Sequence, residues 1–296
     1  MSRIAFLGPE GTVSQEAAVC FFKGERHDYV PFKSIPDVFM AVESGRADWG
    51  VIPIENTIEG SVRLHMDWLI HEAHLPILAE WTYPSMQNLI GRLDELPRKD
   101  GAPDLSAIRK IVSIDVAIAQ CRRFLRETLP NVEFEYVSST AEGVRMVRDN
   151  PGSGLAAIGT KLAAQKYGLD VLAHNITDHQ NNFTRFILVG QDKPALTPTD
   201  RVKTTTIVTL PEDYPGALHQ VLSAFAWRRI NLSKIESRPT KLKLGSYYFY
   251  IDIEASMDSV LLPAALAEIE ALGCQVRILG CYPCYPYESI NLEVQS

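Results

Sequence analysis

The sequence predicts an α/β protein in two parts. A larger domain alternates strands and helices with mostly parallel sheets, and a smaller ferredoxin-like βαββαβ domain follows a linker. Three observations predict this. Apolar runs alternate with amphipathic stretches through residues 1–190. Polar, glycine-bearing motifs fall where those runs end, at strand C-termini, where open α/β sheets bind ligands. Residues 191–203 then hold two prolines and five charged groups, a linker composition, and a second pattern starts behind them.

Arg3 to Leu7 is a short apolar run stopped by Gly8-Pro9 and reads as a buried first strand. Gly8-Pro9-Glu10-Gly11-Thr12-Val13-Ser14-Gln15 joins it to a helical pattern. Such a turn offers backbone N–H groups at a helix N-terminus to an anion. The plainer use of the same residues is a glycine turn with a Ser/Thr N-cap. No Gly-Lys-Ser/Thr follows, so it is not a P-loop. Tyr29 to Phe32 is a strand, and Ile35 to Ser44 a helix closed by Gly45. Trp49 to Ile52 is a strand ending in the polar loop Pro53-Ile54-Glu55-Asn56-Thr57-Ile58-Glu59-Gly60-Ser61-Val62, with a helix behind it. Strands are expected at Pro76 to Tyr83 and Asn88 to Arg92, with a charged loop over 94–106. Ile111 to Ser113 ends a strand. Ser113 is a natural N-cap for the helix through Ala119-Gln120-Cys121, and Asp115 suits its first turn. Val132 to Val137 and Leu155 to Gly159 are strands, each followed by a helix, from Thr140 and from Thr160. Asn181-Asn182-Phe183-Thr184-Arg185-Phe186 then runs into Ile187 to Gly190, which stands a hydroxyl and a guanidinium at the start of an apolar strand.

The second pattern is a strand at Thr204 to Leu210 and a helix from Pro215-Gly216-Ala217-Leu218 to Trp227. An extended stretch at Asn231 to Pro239, a strand at Ser246 to Ile253, a helix at Val260 to Ala271 and a strand at Cys274 to Cys281 follow. The expected domains are therefore 1–190, a linker at 191–203, 204–284, and a tail at 285–296.

Hydrophobic residues make up 46% and charged residues 22% of the 296, which allows a core of ordinary size. A formal charge of −7 without any Lys/Arg run argues against a nucleic-acid face. No apolar run is long enough for a membrane span, and the N-terminus enters a strand without a signal peptide, so a cytoplasmic protein off the membrane is expected. The five cysteines suggest no disulfide framework. Cys281-Tyr-Pro-Cys284 lacks a second half-site, and His71-Glu72-Ala73-His74 lacks zincin spacing, so no metal is expected.

Four motifs carry a resemblance: Gly8-Pro9-x-Gly11-Thr12-x-Ser14, Pro53-x-Glu55-Asn56-x-x-x-Gly60-Ser61, Ser113 with Ala119-Gln120-Cys121, and Asn182-x-Thr184-Arg185-Phe186. Together they resemble the prephenate dehydratase family over nearly the whole chain. The second domain, with Gly216-Ala217-Leu218, Ile230-Asn231-Leu232 and Glu236-Ser237-Arg238-Pro239, resembles an ACT regulatory domain. The resemblance implies a two-lobed, periplasmic-binding-protein-like catalytic domain with its site between the lobes. It implies a reaction that takes prephenate to phenylpyruvate without a cofactor, in L-phenylalanine biosynthesis. Thr184 matches the family's active-site Thr, with Glu55 as the alternative proton donor and Arg185 as a fork for a carboxylate. Gly11, Thr12, Ser14, Asn56, Ser61, Ser113, Gln120, Asn182 and Phe186 are the expected substrate-binding residues. Gly216, Ala217, Leu218, Asn231, Leu232, Ser237 and Arg238 are expected near phenylalanine at an interface between ACT domains, in a homodimer or homotetramer. Arogenate dehydration and a non-catalytic amino-acid sensor are the competing readings. Ile114 stands where the family usually carries His, with Asp115 and Val116 also changed, and Val13 where an aromatic is common.

Overall fold

The computed structural model describes residues 1–288 apart from 24, 100, 213 and 244; part of the expected C-terminal tail lies outside the described residues. The chain builds a first lobe from β1 (Arg3–Leu7), α1 (Val13–Phe21), β2 (Asp28–Phe32), α2 (Ile35–Glu43), β3 (Trp49–Asn56), β4 (Gly60–Ser61), α3 (Arg63–His71) and β5 (Ile77–Pro84). It crosses to a second lobe of β6 (Asn88–Gly91), β7 (Arg98–Lys99), β8 (Ala102–Pro103), β9 (Lys110–Ser113), α4 (Asp115–Ala119), α5 (Arg122–Thr128), β10 (Glu133–Tyr136), α6 (Thr140–Asp149), β11 (Leu155–Gly159), α7 (Lys161–Tyr167) and β12 (Asp170–Ala173). It returns to the first lobe on β13 (Phe183–Gly190). The ferredoxin-like domain follows: β14 (Val202–Thr209), α8 (Ala217–Ala226), β15 (Leu232–Pro239), β16 (Tyr247–Ile253), α9 (Leu261–Ala271) and β17 (Gln275–Tyr285).

The sheets are mixed rather than mostly parallel. β1 pairs in parallel with β2 and β3, and β9 with β10 and β11. The two strands that enter a lobe after a crossing, β6 and β13, pair antiparallel with both neighbours. A parallel strand needs a crossover connection, which a direct lobe-to-lobe passage does not provide. The last strand also outruns its expected end. β17 continues to Tyr285 and pairs with β5, so first lobe and ferredoxin-like domain share one sheet, ordered β15-β16-β14-β17-β5-β13-β3-β1-β2.

Side chains alternate across β13, and that alternation decides what its polar start can touch. Phe186 and Leu188 join Ile4, Phe6, Ala17 and Trp81 in the core under α1. Ile187 and Val189 join Val38, Phe39, Ile52 and Leu69 on the opposite side, where Tyr250, Leu279 and Tyr282 of the ferredoxin-like domain also pack. That domain covers the other face of its own sheet with α8 and α9, burying Val221, Phe225, Leu262 and Ile269. Its β15 alternates as well, with Lys234, Glu236 and Arg238 half-buried and Ser233, Ile235 and Ser237 exposed. Among the described residues no helix is long and apolar enough to cross a membrane.

Candidate active site

Two segments cross between the lobes, 85–87 and 174–182, and they are bonded to each other. Ser85 N–H donates to the Asn182 carbonyl (2.8 Å) and Ile176 N–H to the Gln87 carbonyl (2.8 Å). Thr184 stands beside this hinge. Its Oγ1 lies 2.6 Å from Ser85 Oγ and accepts from Asn56 Nδ2 at 3.0 Å. Asn56 Nδ2 also reaches Asn182 Oδ1 (2.8 Å), while its Oδ1 accepts from the N–H groups of Ile58 and Glu59. Asn182 Nδ2 in turn donates to Gln120 Oε1 of the second lobe at 3.0 Å. Thr184, Ser85 and Asn182 are all buried. Expected residues Thr184, Asn56, Asn182 and Gln120 therefore share one hydrogen-bonded network spanning both lobes. A register shift between Arg185 and Phe186 resets β3 so that Asn56 falls opposite Thr184 and Glu55 opposite Arg185. Such bulges re-aim side chains beside sites.

Next to the hinge a cavity of about 810 Å³ opens between the lobes. Thr12 and Ser14 line it from the start of α1, Lys33 from beyond β2, Gln87 from the hinge, and Ile114 and Thr140 from the second lobe. Thr184 lies outside this lining. The N-terminal ends of two helices line the cavity from opposite lobes, α1 at Thr12–Ser14 and α6 at Ser139–Thr140. The early N–H groups of a helix have no intrahelical acceptor and carry positive partial charge. Gln87 is buried, and its Oε1 has no hydrogen-bond partner among the described residues. Gly11 belongs to the junction between lobes: its φ is +85°, and a Cβ there would sit 2.9 Å from Ala163 Cα. Gly11→Ala is expected to cost about 1–3 kcal/mol through backbone strain and that clash. A denaturant midpoint shared with the native protein would contradict this.

Five expected site residues sit elsewhere. Phe186 is core, stacked on Trp81 with ring centroids 5.6 Å apart. Ser113 does not cap a helix; Ile114 holds the N-cap position, and Ser113 Oγ, still on β9, donates to the Ile158 carbonyl at 2.8 Å. Glu55, Ser61 and Arg185 face the ferredoxin-like domain instead of the cleft, because neighbours on a strand project to opposite sides. Arg185 pairs with Glu80, with Asp252 Oδ2 (2.6 Å) and with Glu55 Oε2 (3.3 Å). Lys203 Nζ holds the other Glu80 oxygen at 2.7 Å. Lys234 Nζ reaches Glu55 Oε1 (2.7 Å) and Ser61 Oγ (2.6 Å), Ser61 donates to Glu236, and Arg238 grips Asp67 of α3. Burial alone would push the Asp252 carboxyl up, but Arg185, with help from Thr205 and Lys203, holds it below the ordinary carboxylate range. Burial likewise opposes charge on Arg185, and Asp252 and Glu80 outweigh it.

The residues that sequence reasoning missed are Ser85, Gln87, Lys33 and Thr140. Ser85 and Gln87 had one local signal, a polar step between two apolar strands. Lys33 and Thr140 look like ordinary turn and first-turn residues until the lobes face each other.

In the ferredoxin-like domain, Gly216, Ala217, Leu218 and Ser237 line a cavity of about 380 Å³ together with Tyr214 and Phe249. Asn231, Leu232 and Arg238 do not join it within one chain. Asn231 bonds Glu254, Leu232 packs on the α8–α9 core, and Arg238 crosses to the first lobe.

A family model described as prephenate dehydratase matches residues 4–194, and one for the ACT domain matches residues 204–274. The chain is 43% identical over 290 residues to the prephenate dehydratase of Bacillus subtilis (strain 168), covering 96% of this chain and 99% of that one. The crystal structure of a prephenate dehydratase from Arthrobacter aurescens in complex with L-Phe is similar at a TM-score of 0.81 and 35% identity, over 95% of this chain and 90% of that one. A structure described as GqqA, a novel type of quorum quenching acylase, is similar at a TM-score of 0.82 and 28% identity, over 97% and 99% of the two chains.

Proposed function

Because the chain belongs to the prephenate dehydratase family and carries an ACT domain, we infer that it converts prephenate to phenylpyruvate, water and carbon dioxide, on the route to L-phenylalanine. The reaction consumes one proton. The ring C–O bond breaks and the hydroxyl leaves as water. The bond to the ring carboxylate breaks and releases carbon dioxide, and its electron pair completes the aromatic ring. A site for it needs a proton donor at the hydroxyl and donors for two carboxylates.

The observation that carries the reading is the Thr184 network at the hinge. Asn56 Nδ2 donates to Thr184 Oγ1, and the Ser85 hydroxyl lies 2.6 Å from it; in the proposed reaction Ser85 is the donor of that pair, which leaves the Thr184 proton for the leaving oxygen. Those two donors also stabilise Oγ1 as its proton departs. The first turns of α1 and α6, one from each lobe, would take the carboxylates. Lys33 adds a cation on the same cavity wall. Arg185 has no part in substrate binding in this scheme. Ile114 presents an apolar side chain where the family usually has His, which suits contact with the substrate ring.

Turnover of prephenate and of arogenate by the native protein, with phenylpyruvate and phenylalanine followed as products, tests the reading. Prephenate turnover is expected to dominate. A protein that consumed neither substrate would refute the enzyme, and faster arogenate turnover would reassign its substrate.

The cavity at Gly216–Leu218 and Ser237 is the proposed phenylalanine site, with Tyr214, Tyr247 and Phe249 around its ring. Among the described residues β15 is the outermost strand of the shared sheet, and that edge and exposed Ile235 support pairing with a second copy in a homodimer or homotetramer. The protein is proposed to work in the cytoplasm, a reading its five free cysteines suit. Calorimetry is expected to show saturable phenylalanine binding to the native protein, weakened roughly tenfold or more by Ser237→Phe, the scale of about 1.4 kcal/mol of lost contact. No heat from the native protein would remove this site.

A further inference from the structure

Thr184 and Arg185 are consecutive on β13, so whatever anchors Arg185 also anchors the backbone from which Thr184 projects. The Arg185 guanidinium is buried among three carboxylates. Two of them, Glu55 on β3 and Glu80 on β5, belong to the strands that flank β13 in the first lobe. The third, Asp252, comes from β16 of the ACT domain and lies 2.6 Å from Arg185 Nη1. Asp252 is fully buried. Its other oxygen accepts from Thr205 Oγ1 at 2.6 Å, and that hydroxyl is 2.6 Å from Tyr282 Oη. The carboxylate is thus held in a fixed direction by its own domain. It engages Arg185 from the ACT domain, while Glu55 and Glu80 engage the same guanidinium from the first lobe.

We propose that Arg185 and Asp252 are positioning residues for the dehydration: the ACT domain, through Asp252, sets the placement of β13 and so completes the geometry of the Thr184 hydroxyl. The proposal rests on the reading of Thr184 as proton donor. Without the Asp252 charge, the guanidinium is left with anions on β3 and β5 only and moves toward them. That movement passes along one residue of backbone to Thr184, whose contacts to Ser85 and Asn56 depend on its position. Asn56 shifts with it, because Glu55, the residue before it, is bonded to the same guanidinium. A misplacement of about 1 Å at a reacting group can cost roughly 10²-fold in rate.

The test is steady-state kinetics on the full chain. Asp252→Asn keeps the shape and removes the charge. It is expected to lower kcat by about 10–100-fold with KM for prephenate within about threefold, a loss confined to the transition state. Thr205→Val removes only the hydroxyl that orients Asp252 and is expected to lower kcat by about 3–10-fold in the same pattern, a part of the same misplacement. Far-UV circular dichroism establishes that each variant is folded. If Asp252→Asn does not fold, Thr205→Val decides. Native kcat in the folded variants overturns the proposal, as does a loss seen only in KM. Thr184→Ala in the same assay separates the two ideas. Near-native activity there refutes the proton-donor reading itself, whereas an inactive Thr184→Ala beside fully active Asp252→Asn and Thr205→Val overturns the coupling alone.

Discussion

Replacing Thr184 by alanine is expected to lower kcat by about 10²–10⁴-fold, the range attributed to a positioned proton donor. The variant should fold. Asn56 Nδ2 loses Thr184 Oγ1 but keeps Asn182 Oδ1 and the Phe183 carbonyl. Ser85 gives up one hydroxyl partner. The stability cost is therefore about 1 kcal/mol, that of an ordinary hydrogen bond. Thr184→Ser restores a hydroxyl on the same backbone and should recover most of the rate. Measuring kcat for prephenate with both variants, beside their melting curves, checks the claim. A Thr184→Ala protein within tenfold of native would move the proton donor to another group of the hinge, with Ser85 first in line.

Arg185→Ala is expected to lower stability by about 3–5 kcal/mol, the scale seen when one member of a buried ion pair is removed. Glu80 would retain Lys203, and Glu55 would retain Lys234. Asp252 would keep the Thr205 hydroxyl but lose the cation that chiefly offsets its burial, so its carboxyl would be pushed up. Adding Asp252→Ala to Arg185→Ala should therefore cost less than the sum of the single changes, with a coupling of about 1–3 kcal/mol. Denaturant unfolding of the four proteins measures it. By contrast Lys166→Ala, which breaks an exposed pair with Glu10, should stay within about 1 kcal/mol of native. Additive single changes at Arg185 and Asp252 would mean that the two side chains act independently.

Much of the fold was legible because its signals are local. The runs at Arg3–Leu7 and Leu155–Gly159 read as strands, and Ser34 and Thr160 cap helices with their own side chains. The candidate site was legible in part. Asn56, Gln120, Asn182 and Thr184, drawn from three of the motifs, meet at the hinge. Their motif neighbours Glu55, Ser61 and Arg185 were placed with them although the information to separate them was present. Once Thr184 and Arg185 are assigned to one strand, period-two alternation puts them on opposite faces. Likewise the charges at Lys234, Glu236 and Arg238 recur every second residue, which marks one face of β15 as ionic without saying what it meets.

The sequence by itself determined the order of the elements, the residue types at the hinge, and the opposition of the hydroxyl and the guanidinium on β13. These follow from backbone periodicity and side-chain chemistry, which act over a few residues. Only the tertiary structure decided that β17 would leave its own domain to pair with β5, and that the ionic face of β15 would meet Glu55, Ser61 and Asp67. It also decided that Asp252 would close on Arg185. The partners in each case lie far apart in the chain and are brought together by strand order and register. A buried charge shows in sequence only as a charge; the opposite charge that makes its burial tolerable comes from another domain.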